Sequence, residues 1–361
     1  MQNYSAKPRK KKWLLRENTQ GIDTEAERTL TDEVGVSPTM ARLLCLRGYT
    51  TPETARDFLY IRTEQLADTN LLADIVPAVN RIVEALQRGE KITIYGDYDV
   101  DGVTAVSILY LYLRDHGADV SYYIPNRIGE GYGVSASAVE SLAAGGTKLI
   151  ITVDTGITAT EEVERARELG VDFVITDHHE CRAELPAAVA VVNPHRPDDT
   201  YPFKDLAGVG VIFKVMCALE HALTQDPMID CVRRLLESYA DLVAIGTIAD
   251  VMPICGENKI IVKLGLAMME NTERPGLIAL FRAVSGTQDD RAKAKKRSKV
   301  SSGFIGYTIA PRINAAGRIR SASIAVELFL SNTVEAALPY AQELCDANKE
   351  RQEEENHIVQ E

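Results

Sequence analysis

Residues Lys91 to Ala105 read KITIYGDYDVDGVTA, three kinds of segment in fifteen positions. KITIY is short, apolar and rich in β-formers, which is the mark of a buried strand. Asp97, Asp99 and Asp101 follow at alternate positions, then Gly102 and a long apolar run. D-x-D-x-D-G also opens an EF-hand calcium loop. That loop needs a helix in front and a bidentate Glu six residues beyond the glycine. Here a strand comes first, and Ile108 holds the Glu position. The stretch therefore reads as strand, acidic turn, helix.

The same alternation continues outward. VNRIVEALQRG (79–89) is an amphipathic helix that stops at Gly89, in front of the strand. After the acidic turn, TAVSILYLYLRDHG predicts a helix, VSYYIP a strand, and SASAVESLAAGG a helix capped by Ser135. KLIITV, VDFVIT and AVAVVNP predict three more strands, with the helix TATEEVERARELG between the first two. Short β-branched runs alternating with helices define an α/β fold, a mostly parallel sheet covered by helices. From about 206 the pattern is helical. The expected organisation is an N-terminal arm with short helices (1–77), an α/β core (78–205), a helical part (206–330), and the start of a long connector helix (331–361). That last helix stops in mid-pattern.

The bulk composition is that of a soluble globular chain: 361 residues, 45% hydrophobic and 25% charged. No apolar run reaches the ~18 residues of a membrane span, so no membrane is expected as partner. The basic N-terminus lacks an apolar signal core, so a cytoplasmic location is expected. Six scattered cysteines form no C-x-x-C pair and read as reduced thiols. A net charge of −12 opposes indiscriminate nucleic-acid binding. Two basic runs, 7–12 and 291–299, read either as solvated faces or as local tracks for a polyanion.

Three predicted strands end in acids or imidazoles. The first leads to Asp97, Asp99 and Asp101, LIITVD ends in Asp154, and DFVITD ends in Asp177 followed by His178 and His179. Taken singly, Asp154 or Asp177 is equally well read as a helix N-cap, and the histidines as a surface turn. Together, neighbouring carboxylates without cations cost several kcal/mol, roughly, in repulsion and desolvation. Oxygen-rich donors with imidazole suit Mn²⁺ or Mg²⁺. Asp250, near the C-terminal end of a predicted helix, faces the wrong end of the dipole, yet an exposed surface role explains it as well. Asp97, Asp99, Asp101, Asp154 and Asp250 carry −5. Two divalent ions leave about −1 and one leaves about −3, which favours two and points to metal-assisted phosphoester hydrolysis.

DHH at 177–179, with YGDYDVDGVTA and ITVDTGI, resembles the DHH phosphoesterase superfamily. IPNRIGEGYG, DLVAIGTIADVMP and APRINAAGRI, with KKWLLRE near the N-terminus, resemble its RecJ branch of single-stranded-DNA-specific exonucleases. The resemblance implies a 5′→3′ exonuclease in DNA repair and recombination, with single-strand-binding protein and a repair helicase as partners. It implies that Asp97, Asp99, Asp101, Asp154, His178 and Asp250 hold two manganese (or magnesium) ions, with Asp154 bridging them. His179 would face the scissile phosphate and Asp177 would orient a histidine. Adjacent extended residues point to opposite sides, in keeping with different roles for the two histidines. The family's glycine-rich DHHA1 motif does not occur, so a fragment is expected.

With that site in place, Asn126, Arg127, Glu130 and Tyr132 form a candidate substrate loop. Arg127 would meet a phosphate and Tyr132 a base, or both would pack within the loop. Arg312, Asn314, Arg318 and Arg320 lie within nine residues. Arg312 and Arg318 are candidates for a terminal 5′-phosphate, with salt bridges as the alternative, and Ala315-Ala316-Gly317 would let a backbone approach a ligand. Two rival readings are a cyclic-dinucleotide or nano-RNA phosphodiesterase of the same superfamily and a catalytically silent scaffold.

Overall fold

The computed structural model describes residues 24–126, 131, 133–286 and 300–360. The chain divides into two compact units, Met1–Arg62 and Thr63–Glu361. In the first, helices α1 (Thr24–Thr29), α2 (Pro38–Leu46) and α3 (Pro52–Leu59) gather around Leu30, Ala41, Leu44 and Ala55. Pro52 opens α3, and Thr51 and Thr54 close a reciprocal capping box in front of it.

The second unit begins with α4 (Ile75–Arg88) and then alternates: β1 (Ile92–Gly96), α5 (Val100–Asp115), β2 (Val120–Tyr123), α6 (Ala136–Ala144), β3 (Leu149–Val153), α7 (Thr160–Glu168), β4 (Asp172–Thr176) and β5 (Ala190–Val192). The helices that follow are α8 (Gly208–Thr224), α9 (Met228–Ala249), α10 (Gly256–Glu270) and α11 (Pro275–Ser285). Next, α12 (Ser302–Phe304) runs through a π-helical turn (Ile305–Ile309) into α13 (Ala310–Ile319), and α14 (Ser323–Leu330) and α15 (Val334–Gln360) complete the described chain.

All five strands are parallel, in the order β2-β1-β3-β4-β5. Successive residues face opposite sides of the sheet. Ile92, Ile94, Leu149 and Ile151 therefore join the core beneath α4, α5 and α8, while Tyr95, Ile150, Phe173 and Ile175 join the core beneath α6 and α7. Both faces are covered, which is why β1 and β3 are buried along their whole length.

This order places a topological switch between β1 and β3, because the chain leaves β1 for one neighbour and returns on its other side. Register sharpens the consequence. Gly96 pairs with Val153 and Val153 with Thr176, so the next residues, Asp97, Asp154 and Asp177, leave the sheet at one level.

α5 begins earlier than its apolar pattern suggests. Asp99 is its N-cap, accepting from the amides of Asp101 (2.9 Å) and Gly102 (3.1 Å), so Asp101 lies inside the first turn. Gly102 lies in the same first turn. A Cβ there would lie 2.5 Å from the Asp97 carbonyl oxygen, so glycine lets the helix pack directly on the acidic turn.

Candidate metal centre

Asp97, Asp101, Asp154 and Asp177 are all buried at the carboxyl ends of the strands. Neither Asp154 nor Asp177 is a helix N-cap. α7 starts only at Thr160, and no helix follows Asp177 before Gly208. Asp154 instead has a left-handed backbone, φ 59°, and sits with its side chain in the crevice. Such a conformation is strained for most side chains and is commonest among Asn and Asp.

Three sets of donor atoms each fall within 4.8 Å: Asp97, Asp99 and Asp154; Asp154, His178 and His179; Asp101, His178 and Asp250. Asp154 and His178 belong to two sets each. His178 Nε2 lies 3.1 Å from Asp154 Oδ1, 3.7 Å from Asp250 Oδ2 and 3.9 Å from Asp101 Oδ2. All six residues expected to hold metal thus share one crevice.

The expectation that His178 and His179 face opposite ways is overturned. Their ring centroids are 4.6 Å apart, and both rings reach one donor set. The cause is Asp177, whose Oδ1 accepts from the His178 amide (2.7 Å), the His179 amide (3.1 Å) and His179 Nδ1 (2.7 Å). These bonds curl a segment that the strand rule treats as extended. Asp177 Oδ2 accepts from the Ile157 amide at 2.9 Å, so every oxygen of this buried carboxylate is engaged.

Electrostatics separate the residues into two groups. Burial, then repulsion from Asp99, pushes Asp97 up to about 7. Burial and neighbouring aspartates hold Asp101 and Asp154 well above the usual carboxylate range, and the same causes take Asp250 to about 6. Burial also lowers His178 to about 4, keeping its imidazole neutral. Asp177 behaves oppositely. Burial would raise it, but the bonds from His179 and the backbone amides outweigh burial and lower it. In return its hydrogen bond lifts His179 to about 9.

Asp97 Oδ1 and Asp154 Oδ1 are buried without hydrogen-bond partners among the described residues. A bare carboxylate oxygen in such a place is costly, and a hard divalent ion is the partner that suits it. Neutral imidazole and aspartate oxygens around those atoms make the donor set fit for that purpose.

Some supporting residues were not visible as a motif. Asp101 Oδ2 and Oδ1 accept from the amides of Gly208 (2.7 Å) and Val209 (2.9 Å) at the start of α8. Gly208 is required there, since a Cβ would lie 2.4 Å from Asp154 Oδ1. Fully buried Asn193, just past β5, donates to the His179 carbonyl (2.9 Å) and accepts from the His195 amide (2.8 Å). Its signal was a lone polar residue after an apolar strand. Asn193→Ala is expected to cost about 1–3 kcal/mol by leaving that carbonyl and amide unpaired. A lower urea midpoint with an unchanged slope would show it.

The candidate substrate residues are less uniformly placed. Arg127, Glu130 and Tyr132 lie outside the described residues, as do both basic runs and KKWLLRE. Asn126 is exposed at the end of the segment after β2. Arg312 and Asn314 are half-buried on α13, and Arg318 is exposed there. Arg320 turns away to Glu343 (3.5 Å) and Glu350 (3.4 Å) on α15. The Ala315-Ala316-Gly317 run approaches protein. A Cβ on Gly317 would lie 2.5 Å from the Tyr98 carbonyl oxygen, so α13 rests on the acidic turn itself.

A parallel α/β domain with acids and imidazoles gathered at its switch point has counterparts among known proteins. Residues 91–247 match the DHH family, N-terminal domain. The chain is 42% identical over 338 residues to the single-stranded-DNA-specific exonuclease RecJ of Bacillus subtilis, an alignment covering 94% of this chain and 40% of that protein. It is similar to a crystal structure of RecJ in complex with Mn²⁺ from Thermus thermophilus, with TM-score 0.76 and 32% identity, over 93% of this chain and 45% of that one. It is also similar to a crystal structure of exonuclease RecJ bound to manganese, with TM-score 0.70 and 36% identity, over 80% of this chain and 69% of that one. The chain belongs to the RecJ branch of the DHH family. It spans less than half the length of the Bacillus relative.

Proposed function

We propose that this chain carries the hydrolytic site of a metal-dependent exonuclease that degrades single-stranded DNA from the 5′ end. The observation that carries the reading is the crevice at the β1/β3 switch point. Seven metal-suited side chains meet there, and two of its buried carboxylate oxygens have no hydrogen-bond partner among the described residues. Asp97, Asp99, Asp101, Asp154, His178 and Asp250 would hold two ions, manganese or magnesium, with Asp154 between them. When bound, such a pair activates water and stabilises the charge of a phosphoryl transition state.

The chain's own groups do the remaining work. Asp177 fixes the orientation of His179 through Nδ1, and His179 would face the scissile phosphate. Arg312 and Arg318 would bind the 5′-terminal phosphate, the source of direction. α13, seated on Tyr98 through Gly317, would hold these arginines against the acidic turn. A role in DNA repair and recombination would put the protein in the cytoplasm, with single-strand-binding protein and a repair helicase as partners. Among the described residues no helix is long and apolar enough to cross a membrane.

Incubation with Mn²⁺ and end-labelled single-stranded DNA, duplex DNA or a cyclic dinucleotide tests the reading. Mononucleotides are expected from single strands alone. Preferred turnover of the dinucleotide would replace the reading with a small-nucleotide phosphodiesterase, and no turnover of any substrate would favour a scaffold.

A further inference from the structure

Tyr307 is the most exposed large apolar side chain among the described residues, at 88%. A lone exposed tyrosine needs no explanation in itself. Its setting supplies one. Tyr307 stands on the π-helical turn Ile305–Ile309, whose flanking Ile305 and Ile309 are fully buried, and Phe304 packs edge-on against Phe281 at 5.7 Å. The turn is anchored on its inner side while the Tyr307 ring points out. π-turns within helices occur often at functional sites.

Two contacts tie this turn to the metal crevice. A Cβ on Gly306 would lie 3.7 Å from Ile248 Cγ2, so the turn rests on the last turn of α9, two residues before Asp250. On the other side, Arg312 Nη1 donates to the Thr308 carbonyl, which folds the guanidinium back beside the Tyr307 backbone. Arg312 Nε is buried without a partner among the described residues. Next to Asp250, Val251 adopts φ 60°, unfavourable for a β-branched residue, with its side chain 84% exposed. An exposed aromatic ring, an exposed aliphatic group and a guanidinium thus belong to segments that meet near the end of α9, where Asp250 joins the acid cluster.

We propose that Tyr307 is a stacking platform for a base of single-stranded nucleic acid, flanked by Val251, while Arg312 meets the adjoining phosphate. The inference rests on the exonuclease reading above. Every base has a π face, so a ring of this kind grips a strand without reading its sequence. Duplex bases, already stacked on their neighbours, have no free face to offer, and the platform therefore favours unpaired substrate.

The test uses the full chain with Mn²⁺ and a 5′-phosphorylated oligothymidylate. Tyr307→Ala is expected to raise KM about 10-fold with kcat nearly unchanged, and Tyr307→Phe to stay near wild type. An abasic residue stepped along the oligonucleotide is expected to slow the wild type at one register, and Tyr307→Ala to lose that pause. Fluorescence of a Tyr307→Trp variant is expected to be quenched by the oligonucleotide without metal turnover. Equal KM for Tyr307→Ala, with no quenching in the tryptophan variant, would overturn the platform alone and leave the ring to a protein contact. Failure of the wild type to act on any single strand would overturn the exonuclease reading and the platform with it.

Discussion

Asp154→Asn is expected to melt at a higher temperature than the wild type in the absence of metal, while losing all Mn²⁺-dependent cleavage. Asp154 brings a charge into a buried crevice among Asp97, Asp99 and Asp101, and burial and repulsion hold its carboxyl well above the ordinary range. Asparagine has the same shape, tolerates the left-handed backbone at φ 59°, and can donate to the surrounding carboxylates. Relief of about 1–2 kcal/mol follows, or roughly 2–6 °C for a chain of this size. The same change removes the donor shared by two of the three side-chain sets. Saturating Mn²⁺ adds about 2.7 kcal/mol to a protein that binds it at a hundredth of the supplied concentration, and that increment should vanish in the variant. Cleavage should fall by ~10³ or more. Scanning calorimetry with and without Mn²⁺ checks both halves. A variant that melts lower without metal and still gains stability from Mn²⁺ would refute the assignment.

Gly246→Ala should fail in both respects. In an ordinary helix interior this substitution stabilises by about 1 kcal/mol. Here the added Cβ would lie 2.4 Å from Thr104 Oγ1 and 2.8 Å from both Asp101 Oδ1 and Val209 Cγ1. All three neighbours are buried, so α9 must move away from α5 and α8. Overpacking of this kind costs about 1–3 kcal/mol and reverses the sign of the propensity gain. Asp250 lies one helical turn further on and moves with α9. A displacement near 1 Å at a reacting centre costs ~10²-fold in rate. Activity should therefore drop even at temperatures where the variant remains folded. Circular dichroism melts beside an exonuclease assay separate the two effects, and unimpaired activity would refute the coupling.

The fold was largely legible because strands buried on both faces have a simple signature. KITIY, LIITV and DFVIT are continuous apolar runs with acids at one end, and they form the three central strands. Strand order was not legible in composition, since adjacency of β1 with β3 depends on which face each crossover helix covers. The metal-suited side chains after β1, β3 and β4 could be found from position alone, because in a parallel sheet every strand ends on the same edge, whereas Asp250 at the end of α9 needed the family resemblance. What stayed hidden was backbone chemistry. No side-chain pattern announces that Asp101 will accept the α8 amides, or that Asp177 will curl the histidine pair. A close approach was also misread: Gly317 makes room for the acidic turn, where the sequence suggested a ligand.

Asp101 accepting from the first amides of α8 has a further consequence. The start of a helix carries roughly half a positive charge. The crevice therefore owns a fixed, partial counterion that belongs to the backbone and cannot diffuse away. Five aspartates need not scatter when the mobile cations leave, because one of them remains tethered to a rigid element. Replacement of one divalent ion by another would then be a local exchange within a standing frame, with no refolding of the crevice.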